Sequence, residues 1–264
     1  MNTVHGNAGT VSQGWRTDTY RSLSSGSTTK IHVLTVDYRG FGYSTGTPTE
    51  EGLITDGVAL VDWALNVANI PPERIVLLGQ SLGTAVATAV AEHFVMRSPQ
   101  IEFAGVVLAA PFSDIPTLML TYSAGGIVPI LSPLRGYPRL QKWFLEYVRD
   151  TWNTSMRLAN FVKRSQSVHL TLIHSRNDYD IPWKHSDALF YVAANATTEV
   201  GMTEKEVNKV KTTLDLGEAG WVNTWNAGGY KKIRQEILFH GGKFPSAYGL
   251  GTPKLIKFQV ITGL

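Results

Sequence analysis

The chain has 264 residues, 43% of them hydrophobic and 17% charged, with a formal net charge of +3 and no cysteine. That balance excludes a disordered or fibrous chain and predicts one globular domain large enough for a deep core. The lack of cysteine excludes disulfides, thiolate nucleophiles and cysteine-ligated zinc, so any chemistry must come from Ser, His, Asp, Glu or Lys.

The opening "MNTVHGNAGT" has neither the basic start nor the apolar core of a signal peptide. "IHVLTVDY" (31–38) reads as a buried strand, and "RGFGYSTGTP" after it as a glycine-rich loop. Thr49, Glu50 and Glu51 open a helix that runs to about Ala68, with Thr as N-cap and acids in the first turn, and Pro71 and Pro72 close the stretch. "RIVLLG" (74–79) is the next strand, followed by a helix of small residues to about Arg97. "FAGVVLAAPF" (103–112) is a third strand, "SVHLTLIHS" (167–175) a fourth and "KIRQEILFH" (232–240) a late one, with a helix over 183–194 between the last two. This alternation predicts an α/β fold with a mostly parallel central sheet flanked by helices. It forms a single domain over 1–264, with a lid insertion at about 113–167.

Charge is unevenly spread. Residues 1–112 carry six basic and nine acidic side chains, and residues 113–264 carry eighteen and twelve. The basic excess peaks over 135–164, where seven basic residues face only Glu146 and Asp150. The usual meaning of such a cluster is a solvated face. The longest uncharged run, Ile115 to Leu134, contains three prolines and a Gly-Gly pair, poor material for a spanning helix. The pI of about 9.0 is alone in favouring nucleic acid, because no basic and aromatic binding module accompanies it. No metal constellation or cofactor loop is visible, and "GFGYSTG" lacks the Lys-Ser/Thr of a phosphate loop.

Gly79-Gln80-Ser81-Leu82-Gly83 fits the G-x-S-x-G pattern of a strand-to-helix turn. Side chains two residues before and after a serine in that strained turn would collide, and glycine removes both obstacles. The turn lifts Ser81 Oγ above the sheet and puts the Leu82 N–H at a helix start, where it can stabilise an oxyanion. The alternative is a glycine-rich turn that happens to contain Ser.

With this motif the sequence resembles the α/β-hydrolase superfamily, and other segments fit it in order. His5-Gly6-Asn7-Ala8-Gly9 resembles its oxyanion loop, which implies the N–H of Asn7 or Ala8 as second oxyanion donor. Asp37-Tyr38-Arg39-Gly40-Phe41-Gly42-Tyr43-Ser44 resembles the loop after the following strand. "STGTPTEEG" extends the likeness toward lipases of the abhydrolase-domain-containing protein 12 type, which act on monoacylglycerols and lysophospholipids. The resemblance also implies further strands before the first of these loops and a closing helix after the last strand. This chain has "MNTV" and "PKLIKFQVITGL" in those places, so truncation at both ends is an expectation.

A serine hydroxyl needs a histidine to accept its proton and an acid to fix that histidine's tautomer. In this family the acid and then the histidine follow the serine. Asp178, in "LIHSRNDYDIPW", has the family's spacing to the Ile-Pro pair, with Asp180 as rival; either could instead cap the next helix. Of seven histidines, five precede the acid, and His185 on a first helical turn reads as a surface or capping residue. His240 is then the expected base, although "ILFHGGKF" places it three residues before the position the family uses, where Lys243 stands. The alternative is a strand-end histidine bonded to backbone, which leaves an elbow without a base.

The implied reaction is cofactor-free hydrolysis of a carboxylic ester through Ser81, Asp178 and His240. The apolar run followed by a basic segment suits a lipid ester, monoacylglycerol or lysophospholipid, met at a peripheral membrane surface without spanning it. A small-molecule carboxylesterase or peptidase and a catalytically impaired protein acting by binding are the alternatives. Compartment is not legible.

Overall fold

The computed structural model describes residues 2–4, 10–12, 15–25, 29–121, 123–124, 128–129 and 137–240. The strands in chain order are β1 (Asn2–Val4), β2 (Leu34–Thr35), β3 (Val76–Gln80), β4 (Gly105–Ala109), β5 (Ser123–Ala124), β6 (Val128–Pro129), β7 (Val168–Ser175), β8 (Thr212–Asp215), β9 (Gly220–Ala227) and β10 (Lys231–Leu238). The helices are α1 (Trp15–Ser24), α2 (Glu50–Asn66), α3 (Leu82–Val95), α4 (Ile115–Thr121), α5 (Pro138–Leu145), α6 (Thr154–Arg164), α7 (Lys184–Asn195) and α8 (Glu204–Val210).

Among the described residues eight strands form one sheet in the order β2-β1-β3-β4-β7-β10-β9-β8, and β5 and β6 pair antiparallel as a separate two-stranded sheet. All pairings from β2 to β10 are parallel, and β9 and β8 add antiparallel at the far edge. This is the α/β architecture expected from the sequence. After β1 the chain adds β2 on one side, returns to β3 on the other, and then grows through β4, β7 and β10. Its direction therefore reverses at the β1/β3 pair, and in open α/β sheets ligands bind outside the carboxyl ends of strands at such a reversal.

The helices follow their sequence signals. Thr49 caps α2, its hydroxyl accepting the Gly52 N–H at 3.1 Å, with Glu50 and Glu51 in the first turn where the helix dipole favours acids. The small residues of α3 are needed because this helix is enclosed by the sheet, α2 and α6, and nearly all of it is buried. At Gly57 of α2 an added Cβ would lie 2.9 Å from Val90 and 3.0 Å from Val86, so the two helices meet at van der Waals limits. On the other flank α6 buries Leu158, Phe161 and Val162 in the same core. Within the expected insertion, α6 is thus a core helix. Its apolar positions at i, i+3 and i+4 carried that signal.

Three strand readings change. The strand read over 103–112 shortens to Gly105–Ala109. The strand read as buried over 31–38 shortens to Leu34–Thr35 and is only partly buried, because among the described residues β2 is an edge strand that pairs only in the register Asn2 to Leu34 and Thr3 to Thr35. The β8–β9 hairpin was not anticipated. It is fixed to β10 by a buried side-chain pair in register, with the Asn223 amide donating to Gln235 Oε1 at 2.8 Å. A one-residue slip would turn one of the two amides to the opposite face and break this bond. Among the described residues, no helix is long and apolar enough to cross a membrane.

Candidate active site

Ser81 joins β3 to α3 with φ 54° and ψ −121°, a left-handed backbone conformation that few non-glycine residues adopt. Neighbouring glycines make the turn possible. A Cβ on Gly79 would stand 2.2 Å from the Gly83 carbonyl oxygen and 2.7 Å from Thr84 Cα. The backbone groups of Ser81 are occupied: its N–H donates to the Ala109 carbonyl at 3.0 Å, and its carbonyl accepts from Thr84 N–H at 2.9 Å and Thr84 Oγ1 at 2.6 Å. Its hydroxyl does not cap α3, although Ser81 occupies the N-cap position. Leu82 is the first residue of α3, where backbone N–H groups lack intrahelical acceptors. Ser81 therefore sits at the carboxyl end of β3, beside the topological reversal.

Asp178 lies three residues beyond β7 and is buried. Its Oδ1 accepts the N–H groups of Asp180 and Ile181, both at 3.0 Å, so the carboxylate closes its own loop and does not cap α7. Oδ2 makes no hydrogen bond among the described residues; His174 Nε2 lies 3.8 Å away and is bonded to the Ile181 carbonyl at 2.8 Å. Asp180, the rival acid, is only partly buried.

His240 follows β10 by two residues and is exposed. Strands β7 and β10 are parallel neighbours along their whole length, with Leu238 opposite Ser175, and the Arg176 N–H donates to the Leu238 carbonyl at 2.6 Å. Asp178 and His240 consequently leave adjacent strands at one edge of the sheet, the edge that also carries Ser81. No hydrogen bond joins Ser81, Asp178 and His240 among the described residues. Asn7 and Ala8 lie outside the described residues.

His185, read as a surface or capping residue, is buried at 5% exposure. Its Nδ1 accepts the Ser113 N–H at 3.3 Å and lies 3.2 Å from Ser113 Oγ, while Nε2 lies 3.1 Å from Thr121 Oγ1. The backbone donor fixes the proton on Nε2. Burial pushes the imidazole pKa below its usual value, against a smaller upward pull from Asp114. A chain-order reading could not find this residue: its signal was position on the inner face of α7, beside buried Ser186 and Leu189.

The Asp37–Ser44 loop is held from both sides. Asp37 Oδ1 accepts the Val11 N–H at 2.7 Å, and Ser44 Oγ donates to the Asp37 carbonyl at 2.7 Å. Arg39 pairs with Asp56 through Nε at 3.1 Å and Nη2 at 2.7 Å. Partial burial pushes the Asp56 carboxyl up, but the Arg39 hydrogen bonds prevail and hold it below its ordinary range. Among the described residues no group of three or more His, Asp or Glu could hold a metal ion.

Comparison with known proteins agrees with this frame. Residues 3–217 match the alpha/beta hydrolase family. Human protein ABHD12B is 33% identical over 193 residues, 73% of this chain and 49% of that protein. The lysophosphatidylserine lipase ABHD12 of Macaca fascicularis is 30% identical over 215 residues, 81% of this chain and 49% of that enzyme. The chain spans about half the length of these relatives. An alpha-beta hydrolase from Vibrio vulnificus has the same fold, with TM-score 0.58 at 18% identity over 73% of this chain and 61% of that one. With Ser81 at its strand-to-helix turn and a sheet of this order, the chain belongs to the alpha/beta hydrolase family.

Proposed function

We propose that the protein is a serine hydrolase of carboxylic esters, acting on lipid esters of the monoacylglycerol or lysophospholipid class. One observation carries the reading: a serine, where glycine would relieve the strain, held at φ 54° at the carboxyl end of β3 with its backbone bonded and its hydroxyl unused as a cap. Such strain costs on the order of 1–3 kcal/mol, and the residues that bear it cluster at active sites. The lipid class is supported by the similarity to the lysophosphatidylserine lipase.

In this mechanism Ser81 Oγ attacks the ester carbonyl while His240 accepts its proton, and Asp178 Oδ2 orients the imidazole. The Leu82 N–H, with that of Asn7 or Ala8, binds the oxyanion. His240 returns the proton to the departing alcohol, leaving an acyl group on Ser81. Water deprotonated by His240 then releases the fatty acid and restores the serine.

The exposure of His240 favours a second reading, a hydrolase-fold protein that keeps the elbow but lacks a base and acts by binding. Hydrolysis assays on a lysophospholipid, a monoacylglycerol and a short-chain nitrophenyl ester, each with Ser81→Ala as control, separate the cases. Ser81-dependent turnover that rises with acyl length supports the lipid reading, and preference for the short ester replaces it with a small-molecule esterase. Equal rates for wild type and variant would leave the binding role.

A further inference from the structure

The span between β4 and α6 leaves the sheet and returns to it through a closed neck. The Ile115 N–H donates to the Thr151 carbonyl at 2.9 Å, and the Ser155 N–H to the Ser113 carbonyl at 3.0 Å. Helix α5 belongs to this excursion. A short amphipathic helix in a globular chain ordinarily buries its apolar stripe, but α5 leaves its large side chains in solvent. Leu140 is 42% exposed, Trp143 50% and Phe144 41%, and Tyr147 in the following turn is 68% exposed.

The spacing of 140, 143 and 144 places those three on one face of α5, and the Tyr147 ring joins Trp143 from the turn that follows. The three aromatic rings also form a cluster, since Trp143 meets Phe144 and Tyr147 edge-on at centroid distances of 5.0 Å each. Arg139 and Arg149 flank the cluster and are exposed. The wider segment 135–164 carries seven basic residues against two acidic ones.

We propose that the Leu140-Trp143-Phe144-Tyr147 face docks on a bilayer containing anionic phospholipid, with the rings at headgroup depth and Arg139 and Arg149 on the lipid phosphates and carboxylates. Trp and Tyr join an apolar body to a polar tip, the combination that settles at a membrane interface. Basic side chains beside them complement a negative leaflet. Four side chains on α5 and the turn after it are too few for a stable protein interface, which takes roughly 800 Å² from each partner. The purpose of the surface rests on the lipid-ester reading, while its test reads binding alone.

The test is co-sedimentation of the full chain with phosphatidylcholine vesicles, with and without phosphatidylserine. Wild type is compared with Trp143→Ser/Phe144→Ser and with Arg139→Gln/Arg149→Gln, each checked by thermal melting. The expected result is binding at least ~10-fold tighter to the anionic vesicles, weakened by salt, and reduced by about 10-fold or more in either variant without loss of folding. Negligible wild-type binding to both vesicles, or equal binding by wild type and both variants, overturns the proposal. So does self-association in sedimentation velocity that Trp143→Ser/Phe144→Ser abolishes, which would give the face to a second copy. Fluorophosphonate labelling of Ser81 is read separately, so failure of docking and failure of the hydrolase reading are distinct results.

Discussion

The imidazole of His185 on α7 is clamped between Ser113 and Thr121, accepting the Ser113 N–H at Nδ1 and facing Thr121 Oγ1 with Nε2. Because Ser113 precedes α4 and Thr121 ends it, this one ring fastens both ends of the first helix of the excursion to the body of the fold. Thr121 passes the chain of bonds on, its hydroxyl donating to the Leu118 carbonyl at 3.1 Å.

This clamp makes stability depend on acid. Burial holds the His185 pKa below that of the unfolded chain, so the unfolded state binds the extra proton first. Its contribution is complete above the unfolded value, near 6.5, and is lost as pH falls from there through the folded value. A protonated ring would also present a second N–H to the Ser113 N–H. The melting temperature of wild type falls as pH is lowered from 7.5 to 5.5, and His185→Gln flattens that dependence while lowering the neutral-pH value. Equal slopes for the two proteins would contradict the assignment.

The elbow should not tolerate bulk. Gly79→Ala would press a methyl against the Gly83 carbonyl, backbone that cannot rotate away. Overpacking of this kind costs about 1–3 kcal/mol or more, and any shift that relieves it also moves Ser81. Denaturant melts should show that loss together with reduced labelling of Ser81. Gly217→Ala is the comparison for a strained backbone without a clash, since its φ is 61° and nothing lies within 4 Å of its Cβ position; it should leave Ser81 labelling unchanged.

The neck of the excursion has a second anchor. Glu50 Oε2 accepts the Trp152 N–H at 2.8 Å, and Oε1 accepts Arg157 Nη2 at 2.8 Å. Glu50→Ala leaves that backbone donor without its acceptor, at a cost of about 1–3 kcal/mol. Limited proteolysis should cleave the variant faster between residues 115 and 151, with the remaining fold intact. Unchanged cleavage would mean that the other neck bonds suffice.

The two neighbouring carboxylates can be told apart. Asp178→Asn should lower ester turnover by roughly 10³- to 10⁴-fold, as loss of a triad acid does. Asp180→Asn should change it only a few-fold, because Asp180 is not the buried carboxylate at the end of β7. The reverse order would transfer the role to Asp180.

Legibility in the sequence followed locality. The strand-to-helix turn at Ser81 could be read because its constraint is written within five residues, and β7 with the loop holding Asp178 because an apolar run and a proline bracket them. The helix starting after Thr49 was equally plain, since its cap and first-turn acids are adjacent. His185 and the β8–β9 hairpin could not be read this way. The histidine's burial depends on Ser113, 72 residues distant, and β8 has all four side chains exposed, so it carries no apolar alternation. The shortening of β2 likewise depends on its partner strand and not on its own branched residues.

Every step of the proposed reaction requires the hydroxyl of Ser81 to be a nucleophile. Incubation of the full chain with a fluorophosphonate, followed by intact-mass measurement and peptide mapping, reads it directly. One adduct per chain is expected, located at Ser81, absent from Ser81→Ala and slowed in His240→Ala. A folded protein that takes up no reagent, or carries it at another residue, would contradict it.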